Sequence, residues 1–246
     1  MPSIFITGAA TGIGRAVAER FLRQGWVVGA YDINPVTWSS SVHAGLIDVR
    51  SAPSWDEALA DFAAVAGRID VVDNNAGVIV DGPLAEADPV ALQRLLDVNC
   101  LGVTLGARAS HEYLRGGGTL VNMASASAIY GQPQIAAYSA SKFYVAGLTE
   151  ALGLEWRRDR IRVVDVWPLW AKTSLADVEA ASVRRLGVRL TPEQVADVVW
   201  KAATARGRWA RGKVHYGVSG LDKALYLGRS LAPDRVARAL TRVLAG

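Results

Sequence analysis

FITGAATGIGRAVAER, residues 5–20, decides how the rest of the chain is read. A short apolar run, SIFIT (3–7), passes directly into a glycine-rich turn, and the turn passes directly into a helical pattern. Gly8, Gly12 and Gly14 have no Cβ, so the backbone can turn sharply there and come close to a bound group. A helix that starts at such a turn presents unpaired N–H groups and the positive end of its dipole, which suit a pyrophosphate. The spacing is GxxxGxG rather than the commoner GxGxxG of dinucleotide sites. A tight turn using glycine for geometry alone is the competing reading.

Outward from that turn, short apolar runs alternate with helix-length segments. Strands are predicted at 3–7, 26–31, 44–49, 69–74, 118–123, 161–167 and 213–218, and helices at 12–24, 54–66, 89–114, 136–158 and 192–205. Strands that are apolar throughout, separated by helices, predict a parallel sheet covered on both faces. With no repeat, linker or low-complexity tract, residues 1–246 read as one doubly wound α/β domain around a mostly parallel seven-stranded sheet. INPVTWSSSVH (33–43) is too turn-rich for a helix, and 171–190 has no clear period, which suits a mobile substrate loop.

Composition narrows the class. Half of the 246 residues are hydrophobic, 51%, yet no apolar run approaches the length of a membrane span. The start, MPSIFITG, shows no charged lead or cleavage site, so no secretory signal is expected. Cys100 is the lone cysteine, which excludes an internal disulfide and fits a cytoplasmic protein. No metal site is expected. The net charge of +4 conceals an asymmetry: residues 206–246 carry a balance of +7, and the first 205 about −3. The basic character belongs to the tail, 221–246. There, a helix starting near Pro233–Asp234 places Arg235, Arg238 and Arg242 on one side and Val236, Leu240, Val243 and Leu244 on the other. Packing on the body or a neighbouring subunit is one reading, and membrane-surface contact the sharper one. Nucleic-acid binding is not expected, since no motif accompanies the charge.

Asp32 ends the second predicted strand, 24 residues after Gly8. A carboxylate at that point accepts hydrogen bonds from the adenosine ribose hydroxyls and repels a 2′-phosphate. Thr11 brings no positive charge to offset the repulsion, and Arg15 lies beyond the turn. NAD is therefore expected, with NADP disfavoured by Asp32. Further along, AAYSASKFYV (136–145) sets Tyr138 and Lys142 four residues apart in a helical segment, so their polar ends share a face, while Tyr144 points elsewhere. Alone, that pair also reads as a packed tyrosine beside a solvated lysine.

TGAATGIG (7–14), Asp48 after the third strand, NNAG (74–77), Asn99 in DVNCLG (97–102), Ser125 in VNMASAS (121–127), Tyr138 and Lys142 follow one another in order. Together, over residues 3–218, they resemble the standard soluble branch of the short-chain dehydrogenase/reductase family. The resemblance implies a Rossmann-type fold and hydride transfer between NAD and an alcohol or ketone. It also implies a homodimer or homotetramer formed through helices 89–114 and 136–158. It assigns Tyr138 as acid/base and Lys142 as its activator and holder of the nicotinamide ribose. Ser125 becomes the donor to the reacting oxygen and Asn99 the keeper of a proton-relay water. The physical account agrees: a phenol near pKa 10 needs its anion stabilised, which a lysine one turn away and an oxidised nicotinamide ring both do. Ser125 can also be read as a loop serine, and Asn99 as a residue that caps or kinks its helix.

By the same resemblance Thr11 and Ile13 belong to the cofactor turn with the three glycines. Asp48 and Val49 flank the adenine, Asp48 through its side chain, and Asn75, Ala76 and Gly77 run along the cofactor while Asn74 is structural. WPLWAKT (167–173) departs from the pattern. Pro168 and Thr173 match it, Leu169 stands for the usual glycine, and Ala171 takes the position of a Val or Ile at the carboxamide site. Asp73 is a second departure, a carboxylate where an aliphatic strand residue is usual. Ile79, Ile129, Tyr130, Trp170 and Leu175 are the expected pocket residues. A mainly apolar pocket follows from them, suited to a bulky hydrophobic secondary alcohol or ketone. The rival readings are a catalytically quiet NAD-sensing or scaffold protein, which has no use for Ser125, Tyr138 and Lys142 together, and a dehydratase or isomerase on the same scaffold.

Overall fold

The structure, a computed structural model, describes the chain apart from residues 177, 179, 208–211, 232, 234 and 237–246. Seven strands form one sheet: β1 (Ser3–Thr7), β2 (Val27–Asp32), β3 (His43–Leu46), β4 (Val71–Asn74), β5 (Thr119–Met123), β6 (Arg162–Trp167) and β7 (His215–Gly217). Their order is β3-β2-β1-β4-β5-β6-β7, and every pairing is parallel. The chain thus reverses its direction of travel across the sheet between β1 and β4, which opens a crevice at the carboxyl ends of the strands.

The helices are α1 (Gly12–Leu22), α2 (Ala52–Ala66), α3 (Pro89–Leu96), α4 (Val103–Leu114), α5 (Ala136–Glu155), α6 (Ala181–Leu186), α7 (Pro192–Ala203) and α8 (Gly220–Leu231). Both faces of the sheet are apolar because successive strand residues point to opposite sides. Ile4, Ile6, Val71, Val121 and Val164 meet Val17 and Phe21 of α1 and Val195 and Val199 of α7. Phe5, Val72, Leu120 and Val163 meet Trp55, Leu59 and Phe62 of α2 and Leu114 of α4. Local chemistry sets the helix starts. Ser51 accepts from Ser54 N–H ahead of α2, Asp88 from Val90 and Ala91 N–H ahead of α3, and Thr191 with Gln194 forms a capping box ahead of α7.

Several expectations shift. The third strand ends at Leu46 instead of 49, and the last keeps only three residues, His215–Gly217. The helix expected over 89–114 is broken into α3 and α4 by a π-helical stretch, Asp97–Gly102, which contains Asn99. The segment 33–43 has no helix, as read, and Trp38 Nε1 donates to Ala9 O at 2.9 Å, seating it on the glycine turn. The segment 171–190 contains α6, and its ends are tied by a bridge between Ala171 and Leu190. The tail carries a helix that starts earlier than Pro233. In α8 Ser219 Oγ accepts from Asp222 N–H, and Asp222 reaches back to Ser219 N–H, a reciprocal cap. Arg235 and Val236 are helical and exposed, while Arg238, Leu240, Arg242, Val243 and Leu244 lie outside the described residues. Among the described residues no helix is long and apolar enough to cross a membrane.

Candidate active site

The glycine turn is closed by its own packing. Gly8 has φ +68° and Gly12 φ +57°, and a Cβ on Gly14 would lie 2.2 Å from Gly8 O. Asn75 Nδ2 donates to Thr7 O (2.9 Å) and Gly8 O (3.2 Å), while Asn75 and Ala76 N–H both donate to Thr7 Oγ1. The NNAG segment is thereby sewn to the turn, and the Asn75 amide is spent on backbone instead of facing the cleft. Asn74 is internal: its Nδ2 donates to Val103 O and Asn122 Oδ1. Thr11 gives α1 no side-chain cap and no acidic residue stands in its first turn, so the N–H groups of Gly12, Ile13 and Gly14 have no intrahelical acceptor. Thr173 stands over the turn, 3.3 Å from where a Gly12 Cβ would be.

A cleft of about 500 Å3 lies beside this turn, bordered by Gly8, Asp32, Asp48, Val49, Ala76 and Gly77. Asp32 Oδ2 accepts from Ala10 N–H at 3.0 Å, and Oδ1 from Asn34 N–H at 2.9 Å. These bonds fix the carboxylate and leave lone pairs for further donors. Asp48 borders the cleft with its carboxylate gripped by Arg50 through contacts of 2.7–3.2 Å, which also keep the acid below its ordinary pKa. Arg15 turns away, to Glu19 at 2.8 Å and over the Trp38 ring.

Ser125, Tyr138 and Lys142 converge at the ends of β5 and α5. Tyr138 is 7% and Lys142 4% exposed, so both polar ends are desolvated. Burial pushes the phenol up to about 12, against a hydrogen bond with Ser125 that favours its anion. Burial pulls the lysine down to about 8. Lys142 Nζ donates to Met123 O at 2.7 Å and lies 5.5 Å from the Tyr138 ring centre. Ser125 Oγ accepts from Ser127 N–H at 3.1 Å and lies 3.2 Å from Ser127 Oγ. Asn99 is fully buried; its Oδ1 accepts from Val78 N–H (2.9 Å) and its Nδ2 donates to Val78 O (2.8 Å) and Ser141 Oγ (3.1 Å). Its side chain therefore pins the π-helical stretch to the strand-four loop and to α5. Tyr144 is turned outward, its hydroxyl 2.8 Å from Thr104 Oγ1.

Beside Tyr138 and Ser125 is a cavity of about 60 Å3, also bordered by Ile13, Trp170, Leu175 and Gln132. Trp170 and Leu175 border this cavity, as do Pro168, Ala171 and Thr173. Ile129 and Tyr130 are not on its wall. They are packed inward with Val103, Val145 and Trp167, because the short turn after Ser125 points them into the core. Ile79 packs with Tyr138 and Trp170 behind the wall. Ser127 and Gln132, to which the sequence reading gives no role, are buried polar residues on the same wall. A larger groove, about 1040 Å3, opens at the other end of the strands by Pro2, Asp70 and Thr119, away from these groups.

Comparison with known proteins agrees with this layout. Residues 2–183 match the family profile described as short chain dehydrogenase. The D-threitol dehydrogenase of Mycolicibacterium smegmatis is 36% identical over 185 residues, covering 69% of this chain and 70% of that protein. The meso-2,3-butanediol dehydrogenase of Serratia marcescens is 33% identical over 215 residues, covering 80% and 84% respectively. The crystal structure of a 3-ketoacyl-(acyl-carrier-protein) reductase from Brucella melitensis, complexed with NADH, superposes with a TM-score of 0.79 at 26% identity, covering 89% of this chain and 97% of that one. Fold, strand order and a match that runs from the glycine turn past Tyr138 and Lys142 lead to one conclusion: the chain belongs to the short-chain dehydrogenase/reductase family.

Proposed function

We propose that the protein is an NAD-dependent dehydrogenase that interconverts a secondary alcohol and its ketone. The observation that carries this reading is that Tyr138 and Ser125 share the wall of one small cavity, with Lys142 buried one helical turn behind the tyrosine. The residues present fit a dinucleotide. The uncapped first turn of α1 offers N–H groups to its diphosphate, and Asp32 stands on the rim of the 500 Å3 cleft for its adenosine ribose. NAD, when bound, supplies the acceptor for the hydride.

The chain's own residues handle the oxygen and the proton. Ser125 Oγ donates to the reacting oxygen and fixes its place beside Tyr138. Tyr138 Oη takes the hydroxyl proton as the C–H bond breaks, and returns it in the reverse direction. Desolvation makes this exchange responsive to Lys142. An ammonium one turn away in a medium of low dielectric stabilises the phenolate more than it would in water. Alcohol oxidation draws on the phenolate and should accordingly rise with pH, while ketone reduction, which draws on the phenol, falls. Initial rates in both directions between pH 6 and 10 check this, and a flat oxidation profile would contradict it.

Cofactor choice rests on Asp32. NAD should exceed NADP in kcat/KM by about a hundred-fold, from repulsion between the carboxylate and a 2′-phosphate. Asp32→Ala should narrow that ratio by about ten-fold or more, since hydrogen bonds to a charged acceptor are lost with it. Arg50 and Arg94 also border the cleft, with Arg50 held by Asp48. A wild-type preference for NADP would assign the cleft to those arginines instead. A homo-oligomer is part of the same reading, supported by exposed Leu101 in the π-helical stretch and Phe143, Tyr144 and Leu154 on α5.

A further inference from the structure

Gln132 is buried beside the proposed reaction centre, and one atom of its amide has nothing to bond. The residue is 4% exposed. Its backbone N–H donates to Ser139 Oγ at 3.2 Å, which fixes it against α5. Its Nε2 donates to Ser127 Oγ at 3.1 Å, and Ser127 Oγ is 3.2 Å from Ser125 Oγ. Oε1 has no partner among the described residues. Turning the amide over does not resolve this, because Oε1 would then accept from Ser127 and Nε2 would be left unpaired. Buried amide atoms are nearly always bonded, and one that is not marks a missing partner.

Gln132, Ser127, Ser125 and Tyr138 border the same cavity of about 60 Å3. Apart from Thr173 and the Trp170 indole the rest of its wall is apolar, and no charged side chain borders it. The one aromatic donor there, Trp170 Nε1, is committed to Ser182 Oγ at 3.2 Å. A carboxylate or an ammonium would thus find no counter-charge, whereas a hydroxyl both donates and accepts and satisfies the amide in either orientation. The polar strip also begins one hydrogen-bond length from Ser125 Oγ, so a hydroxyl it receives would lie close to the reacting oxygen.

Building on the dehydrogenase reading, we propose that Gln132 and Ser127 form a subsite for a second hydroxyl group, and that the substrate is a vicinal diol oxidised to an α-hydroxyketone. Only one carbinol changes. Its C–H bond gives a hydride to NAD, its O–H proton passes to Tyr138 Oη, and a C=O bond forms; the neighbouring hydroxyl keeps its bonds and stays on Gln132. A site built to bond a hydroxyl discriminates against analogues without it, because its own polar groups are then left unpaired.

The test compares matched pairs of two sizes with NAD: 2,3-butanediol against 2-butanol, and 1,2-cyclohexanediol against cyclohexanol. The wild type should favour the diol of at least one pair by about ten-fold or more in kcat/KM. In Gln132→Met, and independently in Gln132→Leu, the diol should lose at least about ten-fold more than its mono-alcohol, mainly through KM. Calorimetry on the Tyr138→Phe protein with NAD present gives the same ratio as dissociation constants, free of turnover. Equal kcat/KM or equal binding for diol and mono-alcohol overturns this inference alone, as does an unchanged ratio in both Gln132 variants. Absence of NADH formation from every alcohol, with no NAD binding, overturns the dehydrogenase reading and this inference with it.

Discussion

Tyr138→Phe should lower kcat for alcohol oxidation by about a thousand-fold, the range expected when a positioned acid/base is removed. The change deletes one oxygen from a side chain that is 7% exposed and leaves its ring in place against Leu95 and Ile135. The lost hydroxyl hydrogen-bonds to Ser125, a single neutral bond, so the melting temperature should move little. NAD binding should survive as well, since the glycine turn, Asp32 and the uncapped turn of α1 are untouched. Stopped-flow or steady-state NADH absorbance measures the rate, and calorimetry the binding. Retention of more than a tenth of wild-type kcat would remove Tyr138 from the chemistry and move the proton to another group.

Asp73→Val should stabilise the protein at pH 8 and remove a pH dependence that the wild type carries. Asp73 is fully buried on β4, in register with Ile6 and Val121 on the face covered by α1 and α7, and neither carboxylate oxygen has a partner among the described residues. Burial raises its pKa from 3.8 to about 8. Between those two values the folded chain keeps the proton and the unfolded chain releases it. Stability from this group is therefore intact below pH 4 and declines as pH rises, by up to about 1.4 kcal/mol per unit, until the folded carboxyl itself ionises near pH 8. Valine matches its strand neighbours and has no proton to lose, and the gain at pH 8 should be about 3 kcal/mol or more. Urea unfolding of both proteins at pH 5, 6.5 and 8 isolates the effect, because other titrating groups cancel in the difference. Parallel stability curves would mean that the carboxylate has a partner at high pH.

The parts of the fold that were readable in the sequence are those set by neighbours along the chain. The turn at Gly8, Gly12 and Gly14 is a local matter of missing Cβ atoms, and Tyr138 and Lys142 meet because four residues make one helical turn. The π-helical stretch is marked only by Asn99, a residue type that can kink a helix, since one extra residue in a turn does not disturb an apolar pattern spread over 89–114. Ile129 and Tyr130 belong to a segment expected to ring the carboxyl ends of the strands, yet the short turn after Ser125 sends them into the core, a direction that only packing against Val103 and Trp167 fixes. Gln132 escaped because its meaning lies in a partner it lacks. The start of α8 was readable after all: SGLD (219–222) is a capping signal, overshadowed by the basic residues that follow.

The strand order has a consequence for how the protein is made. β1 is made before the other six strands, yet it ends near the middle of the sheet, between β2 and β4. Its β2 edge can pair once Asp32 has emerged, whereas its β4 edge waits for Val71–Asn74. Parallel pairing allows no hairpin shortcut, so every closure spans a long stretch of chain. During that interval the apolar edge of SIFIT (3–7) is open to any other extended segment nearby. A nascent chain stalled before residue 71 should be the most aggregation-prone species this protein passes through, and the one a chaperone would need to shelter.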